Sequence, residues 1–295
     1  MIEQYKKGEA NPMMSDAVNQ RPLLSDETFR KIRDLIAEKT GIYFHDNKRY
    51  LLEMKLSRRI KEKGFSSFEE YLEALSRGIG KEEEFKTLVD LIVTKETSFF
   101  RDLTQFEILR EHLIPDIMKN KNGYRSIRIW SSACSTGEEP YTIAMVILEE
   151  GIPFKGWNVH ILASDINEKF LKYAQNGRYE AYSVRNTPPK YLEKYFIKRG
   201  DEYVLKRQVR ELVKFRRINL IDSLETGIAK DMDIVFCRNV LIYFDEEARQ
   251  KAMNHIHRSL SSGGYLFLGF SELMHEYSHM FKPVMIKGSM IYQKI

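Results

Sequence analysis

The sequence predicts an α/β fold: a mostly parallel sheet with helices on both faces, preceded by a small all-helical domain. Three observations predict it. Residues 25–93 carry apolar residues at helical spacing without a strand signal. From Tyr124 onward, short strand-like runs alternate with helical stretches, which is typical of parallel sheets. The segment Tyr195–Lys206 instead has the pattern of a hairpin, so a small antiparallel sheet is expected beside the parallel one.

The helical domain is expected at residues 23–93, after a loose polar tail at residues 1–22. Ser25 suits the N-cap of the first helix, since its hydroxyl can accept a hydrogen bond from a free N–H of the first turn. Gly41 marks the end of that helix. Further helices are predicted from about Asp46 to Lys63, from Phe68 to near Gly78, and from Lys81 to Val93. Residues 94–123 are expected to form a linker and a junction helix.

The α/β domain is expected at residues 124–295. Its predicted strands are Ser126–Trp130, Val159–Ala163, Val213–Ile218, Asp233–Cys237, Tyr265–Phe270 and Met290–Lys294. Its predicted helices are Glu139–Glu150, Glu168–Asn176 and Asp245–Leu260. The connection at Gly288-Ser289 is too short for a helical crossover, so the last strand is expected to pair antiparallel at an edge.

The predicted hairpin belongs to a small β-subdomain at about residues 190–213. Gly200-Asp201 supplies the turn between its two strands. Val209–Val213 is expected to continue it as a third short strand.

Composition limits the class of protein. The hydrophobic fraction of 43% and the charged fraction of 30% are typical of soluble globular proteins, and no apolar run reaches the ~20 residues of a membrane span. The first residues lack the apolar core of a signal peptide, so the two cysteines are expected to be reduced thiols in the cytoplasm. Two cysteines and seven unclustered histidines predict no metal site. The net charge of +5 favours an acidic partner, but no nucleic-acid-binding signature accompanies it.

The segment Cys134–Tyr141 is the most informative motif. A strand-like run leads into it and a helix-like run leaves it, so its small residues can bring a ligand close to bare backbone beside a helix N-terminus. Glu138, Glu139 and Pro140 suit the first turn of that helix. Two carboxylates would repel a phosphate, so a cationic or hydroxyl-rich nucleoside fits better. The alternative is an ordinary strand-to-helix connection.

Three polar residues follow predicted strands. Asp165 ends the second strand of the α/β domain, where a carboxylate usually binds ribose hydroxyls; the alternative is that it caps the next helix. Asn239 follows the fourth strand and can bond to an adenine edge or to an amino-acid moiety. Tyr243 brings a hydroxyl to the same region, unless it is only a core aromatic residue.

Two further features lie outside the sheet. In Thr94–Asp102, Phe99 and Phe100 are candidates for pocket walls and Arg101 for a carboxylate partner, the alternative being a packed linker. On the second helix, a basic face could dock an acidic helix, although such a face is more often merely solvated. At about 100° per residue, three residues of this helix fall within roughly 40° of one another: Lys48, Lys55 and Arg59. Arg58 and Lys61 add further positive charge.

Together these motifs resemble the chemotaxis receptor methyltransferases, the CheR family, from about Leu24 to the C-terminus. Their order and spacing match as well as their residues, which makes the resemblance specific. The matching segments are Glu96–Asp102, Thr136–Tyr141, Asp165-Ile166, Ile218–Leu220, Cys237–Phe244, Gly263–Gly269 and Ser271-Glu272.

The resemblance implies a Rossmann-like S-adenosylmethionine-dependent methyltransferase domain with a small antiparallel β-subdomain, behind an all-α N-terminal domain. It implies methyl transfer to glutamate γ-carboxylates on cytoplasmic receptor helices, with S-adenosylhomocysteine as product and no metal. The family's cofactor contacts map onto Thr97, Arg101, Glu138, Asp165, Asn219, Leu220, Asn239 and Val240. Tyr243 would stand near the methyl group, and Lys95, where the family commonly has Asn, is expected to point outward.

A glutamate carboxylate is already ionised near neutral pH, so the reaction needs no general base. Arg101 and Tyr243 are the predicted catalytic residues: Arg101 would steer a carboxylate, and Tyr243 would orient the glutamate as a hydrogen-bond donor. The predicted partners are chemoreceptor cytoplasmic helices, docked on Lys48, Lys55, Arg58 and Arg59, without nucleic acid or membrane insertion.

Some members of the family tether themselves to a receptor-tail pentapeptide through a longer, glycine-rich hairpin loop. The compact turn at Lys198–Glu202 predicts independence from that tether. Two further functions stay open: the same chemistry on another acidic protein, or a nucleoside-binding signalling module without turnover.

Overall fold

A computed structural model of the protein describes residues 23–121, 123–272 and 277–295, so the tail expected at residues 1–22 lies outside the described residues. Residues 26–92 form a helical unit around its own apolar core. Its helices are α1 Asp26–Thr40, α2 Arg49–Lys63, α3 Phe68–Arg77 and α4 Lys81–Ile92. The predicted cap is confirmed, since Ser25 Oγ accepts the Thr28 N–H at 3.1 Å. The predicted end of α1 is confirmed too, because Gly41 adopts the left-handed conformation, with φ of 79°.

The junction is α-helical at both ends and π-helical between them. It consists of α5 Leu103–Ile108, the π-helical turn Leu109–Leu113 and α6 Ile114–Asn120. It leads directly into the sheet.

The main sheet has seven strands among the described residues. They are β1 Ser126–Ser132, β2 Asn158–Asp165, β6 Val213–Arg217, β7 Met232–Cys237, β8 Leu260–Leu268, β9 Phe281–Ile286 and β10 Ser289–Lys294, in the order β6-β2-β1-β7-β8-β10-β9. The pairs β1–β2, β2–β6, β1–β7 and β7–β8 are parallel, which confirms the predicted α/β class. The remaining helices are α7 Glu138–Glu149, α8 Glu168–Asn176, α9 Ala181–Val184, α10 Pro189–Tyr195, α11 Arg207–Arg210, α12 Ser223–Thr226 and α13 Glu246–Ser259.

The strand order reverses at β1. From β1 the chain moves outward through β2 to β6 and then returns to β7 on the other side of β1. In open α/β sheets, ligands bind at such a switch point, beyond the carboxyl ends of the strands. The residues that follow β1, β2, β6 and β7 are therefore placed where a ligand site is expected.

The antiparallel edge is confirmed, because β10 pairs antiparallel with both β8 and β9. The strand β9 was not predicted. It contains Pro283 and is exposed at Lys282 and Met285, so it lacks a clear apolar alternation. Its pairing with β10 decides its conformation.

The small sheet is confirmed, but its third strand was predicted wrongly. Its strands are β3 Arg178–Glu180, β4 Phe196–Arg199 and β5 Glu202–Leu205, in the order β3-β5-β4. Residues 207–210 are helix α11, and Val213 begins β6 of the main sheet. The third strand comes from upstream because Tyr179 is buried there, where its hydroxyl donates to the Thr136 carbonyl at 2.8 Å.

The helical unit is bound to the end of the sheet that carries the switch point. Ile42 forms an antiparallel bridge with Phe244, and the Tyr43 N–H donates to the Tyr243 carbonyl at 2.8 Å. The Asn219 amide donates to the Lys39 carbonyl at 2.7 Å. Among the described helices, none is both long and apolar enough to cross a membrane.

Candidate active site

A cavity of about 240 Å³ lies between the helical unit and the carboxyl ends of β1, β2, β6 and β7. It brings together ten of the residues that the sequence predicted for cofactor or substrate: Lys48, Lys55, Thr97, Arg101, Asp165, Asn219, Leu220, Asn239, Val240 and Tyr243. The predicted residues that do not line it are Glu138, Arg58 and Arg59.

The loop after β1 lines this cavity with small residues. Ala133 and Ser135 both line it and have φ of 106° and 49°, in the region that L side chains rarely adopt. Gly137 follows with φ of 91°, and a Cβ atom there would lie 2.6 Å from Ala174 Cβ. Residue 137 therefore has to be glycine, because of its positive φ and because Ala174 and Tyr179 pack against it.

Asp165 closes the cavity at the end of β2. Its Oδ2 accepts the Ser135 N–H at 2.8 Å, and its Oδ1 accepts the Asn167 N–H at 2.9 Å. Burial raises the pKa of this carboxyl to about 6, against those two hydrogen bonds, which lower it. The cap of α8 is Asn167, whose Oδ1 accepts the Phe170 N–H at 3.0 Å. The helix-cap alternative for Asp165 is thereby removed.

The two glutamates of the motif face in different directions. Glu138 is fully buried outside the cavity, where its carboxylate accepts hydrogen bonds from Thr136 Oγ1 at 2.8 Å and Ser183 Oγ at 2.9 Å. Burial raises the pKa of Glu138. Glu139, and not Glu138, is the glutamate of this motif that lines the cavity, so the expected cofactor contact of Glu138 stays a prediction. In a helix first turn, adjacent side chains diverge by about 100°, so only one can face the ligand.

Arg238 is a site residue that sequence reasoning missed. Its side chain is only 2% exposed, and its guanidinium donates to Glu139 Oε2 at 2.9 Å, to the Arg101 carbonyl at 2.9 Å and to Asp102 Oδ2. It thus holds the end of β7, the start of α7 and the junction segment together. An arginine directly after a buried strand was the available signal, because buried charges are paired.

The junction segment contributes polar side chains, and its aromatic residues lie elsewhere. Thr97 and Arg101 line the cavity, and Arg101 Nη1 donates to the Glu96 carbonyl at 2.8 Å. Phe99 and Phe100 are instead buried in the apolar core beside the cavity, so the prediction that they wall a pocket is wrong. Lys95 is exposed with its Nζ 4.4 Å from the centroid of the Tyr173 ring, which fits the expected outward direction.

The loops after β6 and β7 complete the cavity. The Asn219 N–H donates to Glu225 at 2.7 Å, while its side chain bonds to the main chain of α1. Asn239 adopts φ of 58°, a conformation that asparagine tolerates better than most residues. Tyr243 is 41% exposed at the cavity, so it is not a core aromatic residue.

The basic face of α2 divides in two. Lys48, the residue just before α2, and Lys55 line the cavity, and Lys55 Nζ donates to the Leu91 carbonyl at 2.9 Å. Burial lowers the pKa of Lys55. Arg59 instead forms a two-pronged pair with Glu84 at 2.8 and 2.7 Å, and Arg58 is 84% exposed. Arg59 is therefore a structural residue whose charge is compensated.

The site offers hydrogen-bonding and apolar groups to a ligand. Within residues 23–121, 123–272 and 277–295, no group of three histidine, cysteine or carboxylate side chains could hold a metal ion. Asp165 and Glu139 both line the cavity, but Glu139 is paired with Arg238 at 2.9 Å and bonded by Ser131 Oγ at 2.7 Å, so Asp165 is the carboxyl left to accept ligand hydroxyls.

Comparison with known proteins identifies the family. The model of the CheR methyltransferase SAM binding domain matches residues 95–289, and the model of the CheR methyltransferase all-alpha domain matches residues 27–93. The chain belongs to the CheR methyltransferase family. SAM is S-adenosylmethionine, and the cavity residues that follow the strands, such as Asp165 and Asn239, lie within the matched SAM binding domain.

Curated relatives of this CheR-family chain cover most of its length. "Chemotaxis protein methyltransferase 2" of Vibrio cholerae is 38% identical over 92% of this chain and 94% of its own length. "Chemotaxis protein methyltransferase 1" of Pseudomonas aeruginosa is 35% identical over 90% of this chain and 97% of its own. "Chemotaxis protein methyltransferase" of Escherichia coli is 34% identical, covering 93% of both chains.

Proposed function

We propose that this CheR-family protein transfers a methyl group from S-adenosylmethionine to glutamate γ-carboxylates on the cytoplasmic helices of chemoreceptors. The products would be glutamyl methyl esters and S-adenosylhomocysteine, and the reaction would take place in the cytoplasm. The observation that carries the proposal is the cavity that joins the polar residues following four strands with basic residues of α2.

The cavity residues fit the cofactor. Asp165 has a buried carboxylate that already accepts two N–H groups and can accept ribose hydroxyls with its remaining lone pairs. The small residues Ala133–Ser135 line the cavity and leave room for a ligand there. When bound, the cofactor supplies a methyl group made electrophilic by its positive sulfur.

The protein's own contribution is placement and exclusion of water. The nucleophile is an ionised carboxylate, so none of the cavity residues needs to act as a base. Positive and negative charges cancel as carboxylate and sulfonium react, so a cavity closed by the helical unit favours the transition state. We assign Tyr243 to orient the incoming carboxylate by donating a hydrogen bond, and Arg101 to steer a carboxylate of substrate or cofactor.

Substrate docking is assigned to the exposed end of α2. Lys48 is exposed at the cavity, and Lys55 lies behind it in the cavity wall. Arg58 is 84% exposed on the surface of α2, in a solvated pair with Glu62, whereas Arg59 is 17% exposed and bonded to Glu84, so Arg58 is the better docking candidate of the two. Acidic receptor segments would be attracted to this end, at a strength that depends on salt.

Two measurements in sequence test the proposal. Calorimetry should show binding of S-adenosylmethionine and of S-adenosylhomocysteine at one site. Transfer of a radiolabelled methyl group to purified receptor cytoplasmic fragments should follow. Cofactor binding without transfer to any receptor fragment would instead favour a different acidic protein as the substrate, or a binding module without turnover.

A further inference from the structure

The buried carboxylate of Glu272 accepts hydrogen bonds from the loop after β7. Glu272, which follows β8, is 7% exposed. Its Oε1 accepts the N–H groups of Val240 at 2.8 Å, Leu241 at 2.8 Å and Ile242 at 3.4 Å. Its Oε2 accepts those of Asn239 at 2.7 Å and Gly269 at 2.8 Å. A single side chain thus bonds to five main-chain N–H groups, four of them consecutive.

The carboxylate serves N–H groups that a helical turn cannot satisfy by itself. Two of them, Leu241 and Ile242, open the 3-10 turn Leu241–Tyr243, and Val240 directly precedes it; the first N–H groups of a helical turn cannot bond within the turn. Asn239, two residues before the turn, has φ of 58°, in the left-handed region. An ionised carboxylate is the strongest acceptor available for such a cluster.

The loop Asn239–Tyr243 lies at both the proposed cofactor site and the proposed position of the substrate carboxylate. Asn239 and Val240 line the cavity where the cofactor is proposed to bind, and Tyr243 lies at its exposed side. The Tyr243 carbonyl also accepts the Tyr43 N–H from the helical unit. A shift of this loop would therefore displace cofactor contacts, the proposed orienting hydroxyl and the covering helices together.

The close approach of β8 to this loop depends on a glycine. A Cβ atom at residue 269 would lie 2.6 Å from Glu272 Oε2, 2.7 Å from Asn239 Nδ2 and 3.0 Å from the Asn239 main-chain nitrogen. Gly269 does not have a positive φ, so a side chain there would act by collision and not by backbone strain.

We propose that Glu272 is a positioning residue for methyl transfer, which fixes Asn239–Tyr243 so that cofactor and substrate carboxylate align. This inference rests on the proposed function. Two variants test it by different means. Glu272→Gln keeps the shape but exchanges one acceptor oxygen for a donor that faces N–H groups, and Gly269→Ala pushes the intact carboxylate and the loop apart. Glu247→Gln, on the exposed surface of α13, is the matched control.

The decisive readout is kcat for receptor methylation with both substrates saturating, measured where circular dichroism shows each variant folded. Cofactor binds the folded protein, so a saturating concentration restores the folded population by mass action. If Glu272 only stabilised the fold, kcat of the variants would therefore equal the wild-type value. Positioning predicts a fall of about tenfold or more in both Glu272→Gln and Gly269→Ala, because misplaced groups cost rate even when everything is bound. The control should match the wild type.

A wild-type kcat in the folded variants would overturn the inference. If Glu272→Gln does not fold, Gly269→Ala alone decides. Failure of the wild-type protein itself to bind cofactor or to methylate receptors would instead refute the proposed function, so the two failures are distinguishable.

Discussion

Asp165 gives the sharpest prediction about cofactor binding, because its ionisation and its proposed role are linked. Alanine at this position would also orphan the Ser135 and Asn167 N–H groups, so Asp165→Asn is the cleaner change. It keeps the size of the side chain and one carbonyl oxygen, but it removes the negative charge and sets an NH2 group against one of those two N–H groups. The pH dependence of the affinity, which only the ionisable wild-type carboxyl should show, separates the effect of the charge from that of the lost acceptor.

The magnitude follows from the hydrogen bonds at stake. A hydrogen bond to a charged acceptor contributes about 1 kcal/mol more than one to a neutral acceptor, so two hydroxyls give about 2 kcal/mol, or roughly 30-fold in Kd at about pH 7.5. The pKa of Asp165 in the free protein is about 6. Below that pH the carboxyl must lose its proton to bind, so wild-type affinity should fall with decreasing pH, by about tenfold at about pH 5.

The variant carries no ionisable group at this position, so its affinity should stay nearly constant over the same range. The ratio of the two Kd values should therefore shrink from roughly 30-fold at about pH 7.5 to roughly threefold at about pH 5. Isothermal titration calorimetry with S-adenosylhomocysteine, which avoids turnover, measures both. Equal affinities at every pH would refute the assignment of Asp165 to the ribose.

Three further predictions concern docking, the hairpin and the buried arginine. Reversing the charge of Lys48 and Arg58, the exposed residues of the basic face, to Glu should raise KM for receptor fragments several-fold and flatten its salt dependence; normal methylation would mean a merely solvated face. A Trp- and Phe-containing receptor-tail pentapeptide should not bind the hairpin, and low-micromolar binding mapped there by NMR would contradict this. Arg238→Met should lower the free energy of unfolding in urea by about 3–5 kcal/mol by leaving Glu139 unpaired; the double variant with Glu139→Gln should recover part of the loss.

The fold was largely predictable because its signals are local. The caps at Ser25 and Gly41 and the alternation of strands and helices after residue 124 depend on neighbours in sequence. The third strand of the small sheet was not predictable in this way. Residues 178–180 become a strand because Tyr179 is buried against distant elements, a tertiary effect that local propensity does not report.

The site was predictable as a set of loops, and less so atom by atom. Residues following the strands meet because parallel strands end at one edge, so Asp165 and Asn239 were found. Whether Glu138 or Glu139 faces the cavity depends on how the first turn of α7 is rotated, which sequence does not give. The sequence likewise does not show that Arg59 pairs with Glu84, because Glu84 lies on another helix, α4.

The position of the transferred methyl group tests the central claim most directly. Receptor cytoplasmic fragments incubated with this protein and S-adenosylmethionine would be digested and analysed by mass spectrometry, before and after mild alkali. The account predicts a mass increase of one methylene on glutamate side chains of the receptor helices, lost in alkali because carboxyl methyl esters hydrolyse. Alkali-stable methylation on lysine, arginine or cysteine, or no methylation while the cofactor binds, would contradict it.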